Sequence, residues 1–321
     1  MHLRLFAAVF LVTSVLSVTA EAKTKVVASF SILGDMVEQV VGDLAEVETI
    51  VGPDADAHIY TPNVDDARAV ATADVIFTNG LGFETWSKTL IDTAGGKARV
   101  YVATKGVTPL KIDGEIDPHA WNALPNGMTY ISNIAEAMAE FDPANAAAYR
   151  ANASAYRAKL KALHEKALSS VAGLPADRRT VVTAHDAFGY LARAYGLEFL
   201  APVGIDTEAE PSARQLATLI TQLKEKQVAA LFVENITSPD LVKQISAETG
   251  LKIGGRLFSD ALSERGGPAT SYLAMFEHNL TTLLTALKPA VNGNLNFPII
   301  GNLKFPGFSV SVISRLMDQV W

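Results

Sequence analysis

Short apolar runs alternate with stretches whose apolar residues recur at helical spacing, from near Lys25 to about Leu257. Lys25 to Ser29, Val47 to Val51, Val75 to Asn79 and Arg99 to Ala103 read as strands. Ile32 to Val41 and Asp65 to Thr72 lie between them and read as helices. Strand, helix and strand in succession predict an α/β fold, a parallel sheet with helices on its faces. Thr180 to Ala184, Glu198 to Ala201, Ala229 to Val233 and Leu251 to Leu257 repeat the pattern, so a second, similar lobe is expected.

A different pattern separates the two halves. From Asp142-Pro143 to about Val171 the chain is Ala-rich, which predicts one helix with Asp142 as N-cap and Pro143 as its first residue. About 29 residues at the helical rise would span roughly 43 Å, the length of both lobes. Gly173-Leu174-Pro175 ends the helix. The expected organisation is a signal peptide at 1–22, an N-terminal lobe at 23–141, a linking helix at 142–172, a C-terminal lobe at 173–288 and an atypical extension at 289–321.

The leader has its own pattern. Arg4 precedes an apolar or small-residue core from Leu5 to Val18, and Ala20-Glu21-Ala22 fits a small-x-small cleavage site, so export with cleavage after Ala22 is expected. A core of about 14 residues is shorter than the roughly 20 a spanning helix needs. The chain has no Cys, which excludes disulfides, thiolate ligands and lipid attachment at a leader cysteine. The expected location is the periplasm of a Gram-negative bacterium. With 321 residues, 49% of them hydrophobic and 19% charged, the chain is long enough for two globular cores. A net charge of −7 and a pI near 5.4, without a Lys/Arg cluster, argue against nucleic acid as a partner.

Four residues then stand out by position. The loop Gly52-Pro53-Asp54-Ala55-Asp56-Ala57 after one strand delivers His58, Ile116-Asp117-Pro118 delivers His119, Thr180 to Ala184 ends at His185, and Ile253 to Phe258 ends just before Asp260. In open α/β sheets ligands bind beyond the carboxyl ends of the strands, where four such groups can converge. Three imidazoles and a carboxylate suit a divalent transition metal, zinc first. Singly, each His reads as an ordinary loop residue. Of the other three, His2 falls in the leader, His164 sits in a Lys-rich helical stretch expected to face solvent, and His278 is expected to cap or pack near a helix end.

Local sequence adds a resemblance. Gly52 to Pro62, Ala73 to Trp86, Asp117-Pro118-His119-Ala120-Trp121, His185 to Tyr190, Glu210-Pro211-Ser212 and Leu257 to Ser263 together resemble the zinc- and manganese-specific solute-binding proteins of ABC importers, over residues 25 to 288. The resemblance implies two lobes joined by one backbone helix, with the metal in the cleft between them. It also implies that His58, His119, His185 and Asp260 are the ligands and that the partners are a permease and its ATPase at the inner membrane. His185 stands where many manganese members carry Glu, which favours Zn2+ over Mn2+ as the transported ion. Two features depart from the family. No His-rich loop lies between residues 59 and 118, and Gly293 to Pro298 is echoed by Gly301 to Pro306 in a tail to which no chemistry is assigned.

A zinc hydrolase is the rival from another class, since catalytic zinc also uses three protein ligands, but it keeps a position open for water. Four protein ligands close the shell, and no Gly-x-Ser-x-Gly or His-Glu-x-x-His motif is present. The expectation is a monomeric carrier, not an enzyme; a surface adhesin has no supporting feature. Glu84 and Glu234 follow apolar strands and are candidates to accept the outer N–H of a ligand His, or else to make helix-end or lobe-to-lobe hydrogen bonds. Glu208 and Glu210 read as the acidic start of a helix.

Overall fold

The computed structural model describes residues 23–289 apart from Asp113 and Glu210. The expected leader and the repeat-bearing tail lie outside the described residues. The first half runs β1 (Thr24–Phe30), α1 (Ser31–Val41), β2 (Ala45–Val51), α2 (Val64–Thr72), β3 (Val75–Thr78), α3 (Ser87–Ala94) and β4 (Arg99–Val102). A short antiparallel hairpin, β5 (Leu110–Ile112) and β6 (Glu115–Asp117), follows, and then α4 (Leu124–Phe141). After α5 (Ala146–Ala172) come β7 (Thr180–Val182), α6 (Gly189–Tyr195), β8 (Glu198–Leu200), α7 (Ala213–Glu225), β9 (Ala230–Glu234), α8 (Asp240–Thr249), β10 (Ile253–Leu257) and α9 (Tyr272–Leu287).

Both four-stranded sheets are wholly parallel, and they share one strand order. The first is β2-β1-β3-β4; the second, β10-β9-β7-β8, has the same second-first-third-fourth sequence read from its other edge. Val26, Val27, Ala28 and Phe30 of the inner strand β1 are all buried, as expected where helices cover both faces of a parallel sheet. The order reverses between β1 and β3 and again between β7 and β9. These are the switch points where an open sheet leaves a crevice at its carboxyl edge.

The long helix starts where the sequence predicts, with its first turn wound more tightly. Phe141 ends α4, Asp142 is the N-cap residue of a 3-10 turn, Pro143–Asn145, and that turn runs directly into α5 at Ala146. The Asp142 carboxylate also ties that corner together, accepting from Asn145 Nδ2 at 2.7 Å and from the Tyr149 hydroxyl at 2.8 Å. Tyr149, Ala153, Tyr156, Leu160, Leu163, Ala167 and Val171 form its buried stripe, at the three-four spacing of a helix packed on one side. It packs against α1 and α4 of the first half and α6 and α9 of the second. One apolar core runs through the first sheet, α5 and the inner side of the second half. A smaller cluster fills the space between the second sheet and α7 and α8, from Val182 and Leu231 to Leu219, Leu223, Val242 and Ile245.

Candidate metal centre

His58, His119, His185 and Asp260 come together, each offering one ligand atom, all within 4.8 Å of one another. His58 ends the loop after β2, His185 follows β7 and Asp260 follows β10; His119 follows β6 of the hairpin rather than a strand of a main sheet. Their inward atoms form a tight knot. His58 Nε2 lies 3.1 Å from His119 Nε2. Asp260 Oδ2 lies 3.0 Å from His185 Nε2, 3.2 Å from His58 Nε2 and 3.7 Å from His119 Nε2. His119, His185 and Asp260 are fully buried, and the His58 side chain is 4% exposed.

Carboxylates stand behind two of the imidazoles. Asp117 Oδ1 lies 2.8 Å from His119 Nδ1 and also accepts from the His119 backbone N–H at 2.9 Å. Its position two residues before the His, with a Pro between, was visible in the sequence, although the carboxylate was not singled out there. Glu234 Oε1 accepts from the Ala184 and His185 amides at 2.8 and 2.9 Å. Its Oε2 lies 2.7 Å from His185 Nδ1, off the line of a well-formed hydrogen bond. Of the two glutamates singled out by sequence, only Glu234 reaches one of the three inward histidines. Glu84 takes neither expected role: it accepts from Ser29 Oγ and from the Asn79 and Gly80 amides within the first half, closing the switch point of the first sheet as Glu234 closes that of the second. Glu208 precedes α7 and its Ser212 cap, so it is not the first turn of that helix; Glu210 lies outside the described residues.

Burial alone would push the His119 imidazolium down, but Asp260 and Asp117 outweigh it and hold its pKa up at about 9. His185 is likewise depressed by burial and raised overall, well above its ordinary value, by Glu234 and Asp260. Burial raises Asp260, yet His119 and His185 bring it well below the usual carboxylate range. Glu84, with no such cation beside it, is raised by burial.

Aromatic rings wall the site on the first-half side. Phe83 packs edge-on to His58 at 4.8 Å between centroids, Trp121 to His119 at 5.3 Å, and Phe30 touches both Phe83 and Trp121. Trp121 also bridges the halves: its Nε1 donates to the Ser259 carbonyl at 2.7 Å, beside Asp260. The remaining described histidines are elsewhere. His164 is half-buried against Tyr195, its Nδ1 3.0 Å from that hydroxyl, rather than facing solvent as expected. His278 lies within α9, its Nε2 3.0 Å from the Arg256 carbonyl.

Residues 26–286 match the family model described as ZnuA, zinc-uptake complex component A, periplasmic. The chain belongs to this family. Iron-binding protein YfeA of Yersinia pestis is 35% identical over 268 residues, 81% of this chain and 85% of that protein. The manganese ABC transporter substrate-binding lipoprotein PsaA of Streptococcus anginosus is 32% identical over 84% of this chain and 91% of that protein. Among solved structures, the periplasmic zinc-binding protein TroA from Treponema pallidum superposes with a TM-score of 0.80 at 28% identity, over 84% of this chain and all of TroA. The two sheets and the long helix are thus the architecture of this ZnuA family, whose members are solute-binding components of metal transport and not enzymes. Among the described residues no helix is long and apolar enough to cross a membrane.

Proposed function

We propose that His58, His119, His185 and Asp260 together hold one divalent transition metal as cargo, Zn2+ before Mn2+, for delivery to an ABC permease and its ATPase. The single observation that carries this is the spacing of the four inward atoms. With metal–donor bonds of about 2.0–2.1 Å, a tetrahedral shell sets neighbouring donors about 3.3–3.4 Å apart. Four of the six contacts among the inward atoms, at 3.0, 3.1, 3.2 and 3.7 Å, straddle that value, and all six lie within 4.8 Å. Three nitrogen donors favour zinc, whereas manganese prefers an oxygen-rich shell. The relatives are named for iron, manganese and zinc alike, so the zinc reading rests on the donor set. In this reading the protein is a periplasmic monomer released from its leader, with lobes at 23–141 and 173–288 joined by the helix segment 142–172.

Metal content of protein purified from its native compartment, followed by titration against a competing chelator, tests the proposal. His58→Ala, His119→Ala and His185→Ala should each weaken zinc binding at least tenfold, since each opens the shell. Wild-type affinity in any two of them would remove the assignment.

A further inference from the structure

With the four ligands buried, a metal cannot pass until something moves, and the bonds across the mouth of the site show what. The loop 52–58 that carries His58 is fastened to the second half at its rim. Asp54 N donates to the Leu262 carbonyl at 2.8 Å. Asp54 Oδ1 accepts from Asn235 Nδ2 at 2.9 Å, and Oδ2 from the Glu264 amide at 3.2 Å. Asp56 Oδ2 accepts from Thr207 Oγ1 at 2.6 Å, while its Oδ1 accepts from the His58 amide at 2.9 Å. Asn235 adjoins Glu234, and Leu262 and Glu264 follow Asp260, so the loop grips the segments that position the second-half ligands.

We propose that Asp54 and Asp56 are a latch that holds the His58 loop shut and sets the rate of metal entry and release. Two observations separate these bonds from the deeper ones. Asp54 and Glu264 are exposed, so water can replace their bonds as they break. Trp121 Nε1 to the Ser259 carbonyl, Tyr272 OH to the Trp121 carbonyl and Tyr190 OH to the Asp117 carbonyl are buried and have no such substitute. Asp54 also holds a φ of +51°, a left-handed backbone that Asp tolerates but does not prefer. Unlatching relieves that strain, and the loop opens at the rim while the buried bonds remain as the pivot.

The inference rests on the carrier reading above, and its test keeps the two apart. Full-length protein is loaded with Zn2+, and transfer to a fluorescent chelator and uptake of free Zn2+ are followed by stopped flow. Asp54→Ala and Thr207→Val, neither of which alters a ligand, should each speed release by roughly tenfold, the factor one charge-assisted hydrogen bond supports. Uptake should quicken with release, leaving the equilibrium constant nearly unmoved, because the latch acts on the open–closed balance. Asp54→Gly removes the same side-chain bonds without backbone strain and serves if the Ala variant folds poorly. Wild-type rates in the folded Asp54 and Thr207 variants overturn the latch. Faster release with unchanged uptake also overturns it, by showing a damaged site instead. Failure of the wild type to retain zinc would count against the carrier reading.

Discussion

At the residue scale the site is arranged for exchange between protons and metal. His119 stays protonated up to about pH 9 in the metal-free protein, and His185 is raised as well. A metal must displace those protons. Affinity should therefore climb with pH through neutrality towards about 9, a window higher than the ordinary imidazole value near 6.5 would give. Calorimetry at pH 7 in buffers of different ionisation enthalpy should detect roughly two protons released per zinc; release of none would mean that the two imidazoles are already neutral. The linkage for folding runs the opposite way with pH. A folded-state pKa above the unfolded one stabilises the metal-free protein fully below about 6.5, and that stability is lost as pH rises through about 9. Asp117→Asn and Glu234→Gln should each cost about 10–100-fold in metal affinity by loosening His119 and His185. Glu84→Gln, which touches no ligand, should lower the melting temperature and leave zinc titration as in the wild type. The four inward residues were legible because each lies within a distinctive motif and three of them follow strand-like runs; His119, after the short hairpin, was marked by its motif alone. Which glutamate would reach a His was not, because that depends on how two separate loops close at a switch point.

At the scale of elements, every strand of the two main sheets was legible to within a few residues, since each is an apolar run between turn residues. The hairpin β5–β6 was not: its strands span Leu110–Ile112 and Glu115–Asp117, too short for alternation to show. Nor was α4 set apart: Asp142 stands before Pro143 at the start of the long helix as read, but the corner it makes with a preceding helix was not foreseen. Gly189, the first residue of α6, shows why such junctions matter. A Cβ there would stand 2.7 Å from Asp117 Oδ2, the buried oxygen without a hydrogen-bond partner. Gly189→Ala should push Asp117 away and weaken zinc binding, although the residue is no ligand; titration against a chelator measures it. In the spine, Leu160 is 0% exposed, and Leu160→Ala should destabilise by about 2–5 kcal/mol. Because α5 packs on helices of both halves, urea denaturation should still show one transition, with probes in the two sheets shifting together.

At the scale of the whole molecule, a metal held as proposed would link the halves, since His58 and His119 come from the first and His185 and Asp260 from the second. A ligand that binds only the native state adds about 2.7 kcal/mol at one hundred times its dissociation constant. For a chain of this size, at about 2.1 cal/mol/K of unfolding entropy per residue, that is a rise of about 4 °C in melting temperature. Scanning calorimetry with zinc and with chelator should show the shift, and His119→Ala should abolish most of it. The spacing of the ligands along the chain carries one more consequence. His58 and His119 are 61 residues apart and His185 and Asp260 are 75 apart, unlike the two to five residues between paired ligands of a zinc finger. An unfolded chain thus presents solitary imidazoles and no local chelate. A polypeptide threaded unfolded through a membrane, as the proposed leader at 1–22 would require, crosses without metal, and its cargo can come only from the side on which it folds.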